Sequence, residues 1–558
     1  MTAVPSPWKT ATAIFVLNAF ACLYTWAWLG APEAMPASPI TPDTKLDCVS
    51  YTPFQAANSP FDGPAPIAAD LIAADVARLA PITKCLRTYS AAGHGIEQVA
   101  AEAGRLGLSV LQGAWIARDP IANSKELAAA ATIAKAHPGT VTAIVAGNEV
   151  LLRQEQTPQA LVQIIEQAKA LSGLPVTYAD VWEFWLKNPQ VADAVDFITI
   201  HILPFWEDEP VAASNAAQHV AGIYARVTAA FPSKRIIIGE VGWPSAGRMR
   251  AAALPSPINQ ARVLHEVAAM TREQGITTNF IEAFDQPWKR RLEGTVGGHW
   301  GLFDANARAP KFAWGQPVSN HPLWRIQAAV TIALAGLVLM LSARVARMRP
   351  AGRPAMSVKE WAGVALIISA TTVLTVLSVE TLSHGAIGAS GIIRALALGF
   401  VALTAPFVAV GVAGGACLAS FAQLIGPPQL RTRCPLSRLM GLLFAVTFVA
   451  AIQVALSLTF DPRYWEFPFA PLSAAALVFA ILAWTGPSNL EFQDLAAEKL
   501  GAIVLAGCAA FIAIHEGWAN WQALWLSAAL GLLALTMWWK AGWGAVSSSR
   551  KPAAPRPK

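Results

Sequence analysis

The stretch VTAIVAGNEV (141–150) begins as a run of β-branched and small residues and ends beside a carboxylate, Glu149. The stretch RIIIGE (235–240) has the same form and ends on Glu240. Between residues 48 and 284 such short runs alternate with Ala-rich amphipathic segments, which is typical of repeated strand and helix units. The predicted strands are 48–54, 85–90, 108–113, 141–147, 174–180, 195–201, 235–240 and 278–284.

This order predicts an α/β fold, a (β/α)8 TIM barrel, because eight strands that each precede a helix or loop over about 270 residues match the size of that barrel. A doubly wound sheet also alternates strands and helices, but no Gly-rich phosphate loop follows the first strand. In a (β/α)8 barrel the chemistry lies at the carboxyl ends of the strands. Polar or aromatic side chains near these predicted ends are Tyr51, Arg87, Tyr89, Asn148, Glu149, Tyr178, Asp180, His201, Glu240, Trp243, Glu282 and Asp285.

A second, all-α domain is predicted from residue 323 onward, where long uncharged runs predominate. Of the 558 residues, 54% are hydrophobic and only 14% are charged, so part of the chain must lie in lipid. Residues 11–30 form another apolar stretch, which we interpret as an uncleaved signal anchor; a removed signal peptide is the alternative. The other predicted transmembrane spans are 323–342, 361–380, 394–424, 439–459, 468–485, 500–516 and 519–539.

Basic residues indicate how these spans are oriented. Arg-rich connections follow the second and fourth spans and basic residues end the chain, which by the positive-inside rule puts both termini in the cytoplasm. The net charge of +6 is therefore a topology signal and not a nucleic-acid patch. We expect a multi-pass protein of a bacterial inner membrane with its barrel in the periplasm. The predicted domains are a signal-anchor helix (1–30), a Pro-rich stalk (31–44), the barrel (45–322), a transmembrane domain of about seven helices (323–545) and a basic cytoplasmic tail (546–558).

Two carboxylates at separate strand ends of a rigid barrel match the needs of glycoside cleavage. One carboxylic acid protonates the leaving oxygen, and a second carboxylate attacks the sugar or activates water. Glu149 comes just after the fourth predicted strand, and Glu240 ends the seventh. If the reaction retains configuration, their carboxyl groups should lie about 5 to 5.5 Å apart.

At this point the sequence resembles glycoside hydrolase family 17, the β-1,3-glucanase and glucanosyltransferase family. The matching motifs are VAGNEVLLR (145–153), IIIGEVGWPSAG (236–247) and FIEAFDQPWK (280–289), supported by VSYTPF and LRTYS, and the resemblance covers about half the chain, roughly residues 45–320. It implies that Glu149 is the general acid/base and Glu240 the nucleophile of a retaining enzyme that needs no metal ion or cofactor. A raised pKa at Glu149 and an ionised Glu240 would suit this division of roles.

The resemblance also implies roles for other residues. Asn148 resembles the residue that hydrogen-bonds the sugar 2-hydroxyl, and Glu282, Trp288 and Lys289 look like support for the nucleophile and a sugar-stacking platform; packing behind the site is the alternative for these three. Further sugar contacts are expected, with loop packing as the alternative, from Tyr51, Arg87, Tyr89, Tyr178, His201, Trp206 and Trp243.

Cys48 and Cys85 begin neighbouring predicted strands in an oxidising compartment. They form a disulfide or are two small buried residues at the barrel floor.

A glucosyl-enzyme is resolved either by water or by another sugar hydroxyl. The predicted tethering favours transfer, and the resemblance extends to membrane-anchored bacterial members, the type that makes rhizobial cyclic β-(1,3),(1,6)-glucan. The expected partners are β-1,3-glucan or its oligosaccharides, membrane lipid and a separate glucan synthase, since the loops between the spans lack room for a nucleotide site. The alternatives are a membrane-anchored endo-β-1,3-glucanase and a glucan-binding export or assembly protein.

Overall fold

The fold is described from a computed structural model. It describes residues 6–63, 66–349, 354–429, 431–462, 465–486 and 496–546, with the side chains of 539–546 left out. The chain divides into two compact units, one of Met1–Ala31 with His321–Lys558 and the other of Pro32–Asn320. The predicted basic tail lies outside the described residues except for Val546.

Eight parallel strands close into a barrel in the second unit, in the order β1 to β8 around the ring. Their bounds are β1 Cys48–Ser50, β2 Cys85–Arg87, β3 Ser109–Ala114, β4 Val141–Asn148, β5 Val176–Val181, β6 Ile198–His201, β7 Ile236–Val241 and β8 Thr278–Phe280. The barrel closes where Cys48 and Val49 of β1 pair with Asn279 and Phe280 of β8. The predicted (β/α)8 fold is therefore confirmed.

Helices alternate with these strands, and the remaining helices form the first unit. In chain order they are α1 Pro7–Leu29, α2 Ala69–Leu79, α3 Glu97–Arg105, α4 Pro120–Ala136, α5 Pro158–Ser172, α6 Trp182–Lys187, α7 Pro189–Ala194, α8 Ala216–Ala230, α9 Pro257–Glu273, α10 Arg290–Glu293, α11 Trp324–Arg347, α12 Val358–Thr381, α13 Gly388–Thr404, α14 Val408–Ala413, α15 Phe421–Ile425, α16 Pro435–Phe460, α17 Phe469–Thr485, α18 Ala496–Glu516 and α19 Trp521–Val546. Short 3-10 turns lie at Ala213–Asn215, Pro287–Lys289 and Ala405–Phe407.

The barrel helices begin where the sequence supplies caps. The side chains of Asp119, Thr157 and Ser256 accept hydrogen bonds from backbone N–H groups of the first turns of α4, α5 and α9, and a proline follows each of these residues. β-branched residues such as Val49, Val110 and Ile198 are fully buried in one hydrophobic cluster with helix residues such as Ile72, so the strands and the surrounding helices share a packed core.

Residues 32–44, predicted to be a stalk, belong to the barrel unit. Glu33 forms an antiparallel bridge with Val318, and its carboxylate pairs with Arg262. The proline content of this segment is compatible with a loop that packs on a domain as well as with an extended linker. These two contacts join the segment to the barrel unit, and its role as a stalk stays a prediction.

A disulfide joins Cys48 and Cys85 at the start of β1 and β2. The register that pairs Val49 with Leu86 places the two cysteines at equal depth in the ladder. The bond lies at the amino-terminal end of the strands, away from the strand ends that carry Glu149 and Glu240.

The first unit is helical, and seven of its described helices are long and apolar enough to cross a membrane. A shorter apolar helix, α17, corresponds to the predicted span 468–485. The predicted span 394–424 extends too far, because the helix is interrupted at Ala405–Phe407, which contains Pro406, and ends at Ala413 before two glycines. The remaining predicted spans each coincide with one helix.

Candidate active site

Glu149 lies directly after β4 and turns its side chain over the barrel mouth. Its backbone adopts a left-handed conformation with φ +52°, which is uncommon for a residue with a side chain. Its N–H donates to the carbonyl of Ala179 in β5, at 2.7 Å, and this bond fixes the turn. The Glu149 side chain is 23% exposed, so it is accessible from solvent.

Glu240 lies within β7 and is surrounded by donors. Arg87 Nη1 is 3.1 Å from Glu240 Oε1, and the Tyr89 hydroxyl donates to the same oxygen at 2.8 Å. Burial opposes ionisation of this carboxyl, but His201, Arg87 and Lys289 together outweigh it and hold the pKa of Glu240 below its ordinary value. Glu240 is therefore an ionised carboxylate in a buried position.

Arg87 crosses the barrel mouth from β2. Its Nη1 also donates to the carbonyl of Gly239 at 2.7 Å, and its Nη2 donates to Asn148 Oδ1 at 2.5 Å. The guanidinium thus connects β7 with β4, and it orients the Asn148 amide beside Glu149. Arg87 is completely buried, which makes this arrangement rigid.

The two glutamates lie close together, with His201 of β6 between them. One carboxylate oxygen of Glu149, one of Glu240 and one ring nitrogen of His201 all lie within 4.8 Å of one another. His201 Nδ1 is 2.9 Å from Glu149 Oε1, and His201 Nε2 is 3.7 Å from Glu240 Oε1. The two carboxylates thus approach within 4.8 Å through one oxygen each, which is close to the spacing of about 5 to 5.5 Å found in retaining glycosidases.

The same three groups are close enough to hold a metal ion. Their chemistry argues against it, because the Arg87 guanidinium already occupies Glu240 Oε1 and Lys289 adds a second positive charge nearby. A divalent cation between Glu149 and Glu240 would be repelled by both. The site is better suited to a neutral substrate.

A buried ion pair, between Lys289 and Glu282, lies near Glu240. Lys289 Nζ is 2.9 Å from Glu282 Oε2, and Glu282 is 1% exposed. Burial raises the pKa of Glu282 to about 7, although Lys289 opposes the shift. Burial likewise raises the pKa of Glu293 in α10 to about 8. The mouth therefore holds two further carboxyl groups that keep protons near neutral pH.

Three tyrosine and tryptophan side chains expected to bind sugar are part of the wall behind the site, and Arg87 and His201, which carried the same expectation, are equally buried. Tyr51, Tyr178 and Trp243 are at most 1% exposed. The Tyr51 hydroxyl donates to Asp75 at 3.1 Å, and the indole N–H of Trp243 donates to a backbone carbonyl at 3.0 Å. Tyr178 binds Asp180 and accepts from the N–H of Leu151 at 2.9 Å. Burial leaves these rings no surface for a sugar.

Trp206 and Trp288 keep part of their surface in solvent. Trp206, in the loop after β6, stacks on Trp300 with ring centroids 6.5 Å apart and planes inclined by 17°. Trp288, after β8, donates from its indole N–H to Gln286 at 2.8 Å and contacts the ring of Phe61 edge-on. Both rings are fixed by neighbours and remain available at the mouth.

Several residues of the site were not predicted from the sequence. Asn279 of β8 donates to Ser50 Oγ at 2.8 Å and to the Gly239 carbonyl at 2.6 Å, next to Glu240. A polar residue inside an apolar strand was the available signal for Asn279. Glu293 is the last residue of an ordinary charged turn, RRLE, and nothing in its local sequence indicates a carboxyl with a raised pKa.

Known proteins resemble the barrel unit. Residues 48–301 match the BtgE/BtgC glycoside hydrolase domain. The glucan 1,3-beta-glucosidase of Arthroderma benhamiae is 29% identical over 248 residues, which are 41% of this chain and 78% of that protein. The glucan 1,3-beta-glucosidase of Saccharomyces cerevisiae is 24% identical over 247 residues, 40% of this chain and 78% of that protein.

Among solved structures, a glycoside hydrolase family 17 β-1,3-glucanosyltransferase from Rhizomucor miehei has 28% sequence identity to the chain. It covers 48% of this chain and 95% of its own, with a TM-score of 0.42.

Proposed function

We propose that the protein is a retaining β-1,3-glucan glucanosyltransferase, because residues 48–301 match the BtgE/BtgC glycoside hydrolase domain, an enzyme domain that acts on O-glycosyl bonds. The observation that carries the proposal is the pair of carboxylates within 4.8 Å of each other, one ionised and held by cations, the other accessible. The relatives act on glucan 1,3-β bonds by name, which supports β-1,3-glucan as the substrate.

In the first step Glu240 is the nucleophile. Its carboxylate attacks the anomeric carbon, the bond from that carbon to the leaving oxygen breaks, and Glu149 gives its proton to that oxygen. Arg87 and Tyr89 keep Glu240 ionised and aim one of its oxygens. The product of this step is a glucosyl ester of Glu240 and a released glucan end.

In the second step Glu149 is the base. It takes the proton of an incoming hydroxyl, the oxygen of that hydroxyl bonds to the anomeric carbon, and Glu240 leaves as a carboxylate. The hydrogen bond to His201 Nδ1 holds Glu149 on the side of the leaving and incoming groups. Asn148, which Arg87 orients, is placed to bind the sugar 2-hydroxyl.

Whether the incoming hydroxyl belongs to water or to a sugar decides between hydrolase and transferase. Seven long apolar helices support a membrane location, proposed as a bacterial inner membrane with the barrel in the periplasm and both termini in the cytoplasm. An enzyme held at the membrane of the producing cell is placed to remodel nascent glucan, by cyclisation or by β-1,6 links. Polymer synthesis then belongs to a separate synthase.

The test is product analysis with the full chain in detergent and laminarihexaose as substrate. Transfer gives products longer than the substrate or cyclic ones, and methylation analysis assigns their linkage. Products that are only shorter would establish the hydrolase. The Glu240→Gln variant should bind laminarihexaose without turning it over; turnover at the parent rate would refute the nucleophile assignment. Binding without turnover by the parent protein would indicate the export or assembly role.

A further inference from the structure

The exposed large apolar side chains of the barrel unit are concentrated at one face. Among its described residues they are Phe61, Trp115, Ile121, Leu152 and Leu292. Each lies in the segment that follows a strand: β1, β3, β3, β4 and β8 in that order. In a (β/α)8 barrel all of these segments lie at the carboxyl face, where Glu149 and Glu240 are. Single exposed apolar residues are ordinary, but their restriction to the catalytic face indicates a binding surface.

Trp115 is the largest member of this set and is held in a fixed position. Trp115 as a whole residue is 39% exposed, although its backbone N–H donates to Glu126 Oε2 at 3.0 Å. Glu126 of α4 also accepts from Ser90 Oγ at 2.7 Å and from the N–H of Ala91 at 2.8 Å. One buried carboxylate thus ties the loop after β2 to the residue after β3. The exposed indole is part of an ordered rim.

Arg153 connects Trp115 to the acid/base. Its guanidinium carbon lies 4.3 Å from the centroid of the Trp115 ring. The same guanidinium donates to the carbonyl of Asn148, the residue before Glu149, and to the carbonyl of Ile116 at 2.9 Å. One planar group therefore separates the indole from the backbone of the catalytic turn, and a cation on one face of the ring holds its plane.

We propose that Trp115 is a distal subsite, on which one glucosyl unit of a bound β-1,3-glucan chain stacks beyond the units joined by the bond that is cleaved. The inference rests on the proposed glucan activity. A pyranose ring offers an apolar face to an aromatic ring, and an indole fixed from behind by a guanidinium presents such a face at little cost in side-chain entropy. Because Arg153 stands between Trp115 and Asn148, the stacked unit is not the one whose anomeric carbon meets Glu240.

This subsite makes binding depend on chain length. A disaccharide that occupies the two positions at the carboxylates does not reach Trp115, whereas a hexasaccharide extends past it on either side. Phe61, which follows β1, is also exposed and contacts the ring of Trp288, which follows β8. These two rings lie on a different part of the rim from Trp115, which follows β3. The proposed subsite therefore favours binding of polymer or long oligosaccharides over binding of disaccharides.

The experiment measures binding to the full chain in detergent, in a Glu240→Gln background, by calorimetry with laminaribiose and laminarihexaose. Removal of the ring in Trp115→Ala, or its replacement by an apolar group in Trp115→Leu, should weaken laminarihexaose binding by roughly fivefold to tenfold. Laminaribiose binding should change by less than about twofold. Trp115→Phe keeps a ring and should recover most of the affinity.

Ile121→Ala is the matched control, since Ile121 is exposed in the same segment but has no ring to stack. The subsite is overturned if Trp115→Leu, folded by its thermal midpoint, binds laminarihexaose as tightly as the Glu240→Gln parent, or if Ile121→Ala loses as much affinity. Failure of the proposed glucan activity looks different, because the unsubstituted chain, with Glu240 intact, then does not turn over laminarihexaose.

Discussion

His201 Nδ1 lies 2.9 Å from Glu149 Oε1, so the proposed acid/base, which follows β4, is held by a fully buried imidazole at the end of β6. The other ring nitrogen, Nε2, is 3.7 Å from Glu240 and has no hydrogen-bond partner among the described residues. One ring therefore separates the two carboxylates, although its hydrogen bond is to Glu149 alone. His201 acts through Glu149 as a positioning residue.

Replacement of His201 by Phe should lower kcat/KM for laminarihexaose by roughly 10-fold to 100-fold, because a misplaced Glu149 no longer protonates the leaving oxygen well. A dinitrophenyl laminarioside needs no such proton, so its kcat/KM should fall much less. An equal loss on both substrates would show that His201 supports the fold and not the acid. His219→Phe, at a partly exposed histidine elsewhere in the barrel unit, is the control.

Replacement of Arg87 by Gln should move the acidic limb of the pH dependence of kcat/KM to higher pH. Burial of Glu240 favours the protonated acid, and Arg87 is one of the cations that overcome it. Without that charge the pKa of Glu240 rises, and a higher pH is needed to ionise the nucleophile. Arg87→Lys keeps the charge and should leave the limb closer to its original place. An unshifted limb in Arg87→Gln would argue that Glu240 does not set it.

Stability of the barrel should decrease as pH rises from about 4.5 to 8. The pKa of Glu282 is raised from 4.5 to about 7 and that of Glu293 to about 8, both chiefly by burial. In this window the folded barrel keeps protons that the unfolded chain has released, so the stability they provide is lost as pH passes through the folded pKa values. Thermal midpoints at pH 5 and pH 8 test this, and Glu293→Gln should reduce the difference. A difference that is unchanged in Glu293→Gln would contradict the assignment.

Loss of the disulfide should lower the stability of the barrel without changing the arrangement of the active-site residues. Cys48 and Cys85 are 37 positions apart, for which loop-closure entropy in the unfolded chain gives about 4 kcal/mol. The paired variant Cys48→Ala/Cys85→Ala should therefore unfold at lower denaturant concentration, followed by tryptophan fluorescence, with kcat nearly unchanged at low temperature. Cys434→Ala, at an exposed cysteine outside the disulfide, is the control.

Helix α1 should remain part of the mature protein. Its Asn18 side chain donates to Ser369 in α12 at 2.7 Å, and its fully buried Trp26 donates to Thr331 in α11 at 2.9 Å. Polar bonds between apolar helices are hard to replace in lipid, so removal of α1 would expose their partners. The intact mass of the purified protein should include residues 1–30; a mass shorter by such a leader would refute this prediction.

The sequence was informative where local pattern decides the structure. The predicted barrel order is confirmed, because β-branched runs and capped amphipathic helices are local features. The strand ends were less predictable: the predicted strand 278–284 stops at Phe280, where the chain leaves the ladder to bring Glu282 and Asp285 to the mouth. Such departures depend on side chains from other strands, which no local pattern contains.

The site shows the same limit. Glu149 and Glu240 were recognisable because each lies at the carboxyl end of a predicted strand, but Tyr51 and Trp243 lie near such ends equally well and are buried in the wall. Glu126 lies on a helix, and its partners Ser90 and Ala91 are 36 and 35 positions away in the chain. Exposure and long-range pairing are therefore what the sequence could not supply.

The hydrogen bonds of Arg87 depend on closure of the barrel. Its guanidinium joins β2 to Asn148 of β4 and to Glu240 of β7, partners 61 and 153 positions away in the chain. These contacts exist only once the ring of strands has closed, so a partly folded chain has no assembled carboxylate pair. The turnover rate per mole of purified protein is then proportional to the fraction of molecules with a closed barrel. The reaction can therefore be used to measure the native fraction in any detergent or lipid preparation.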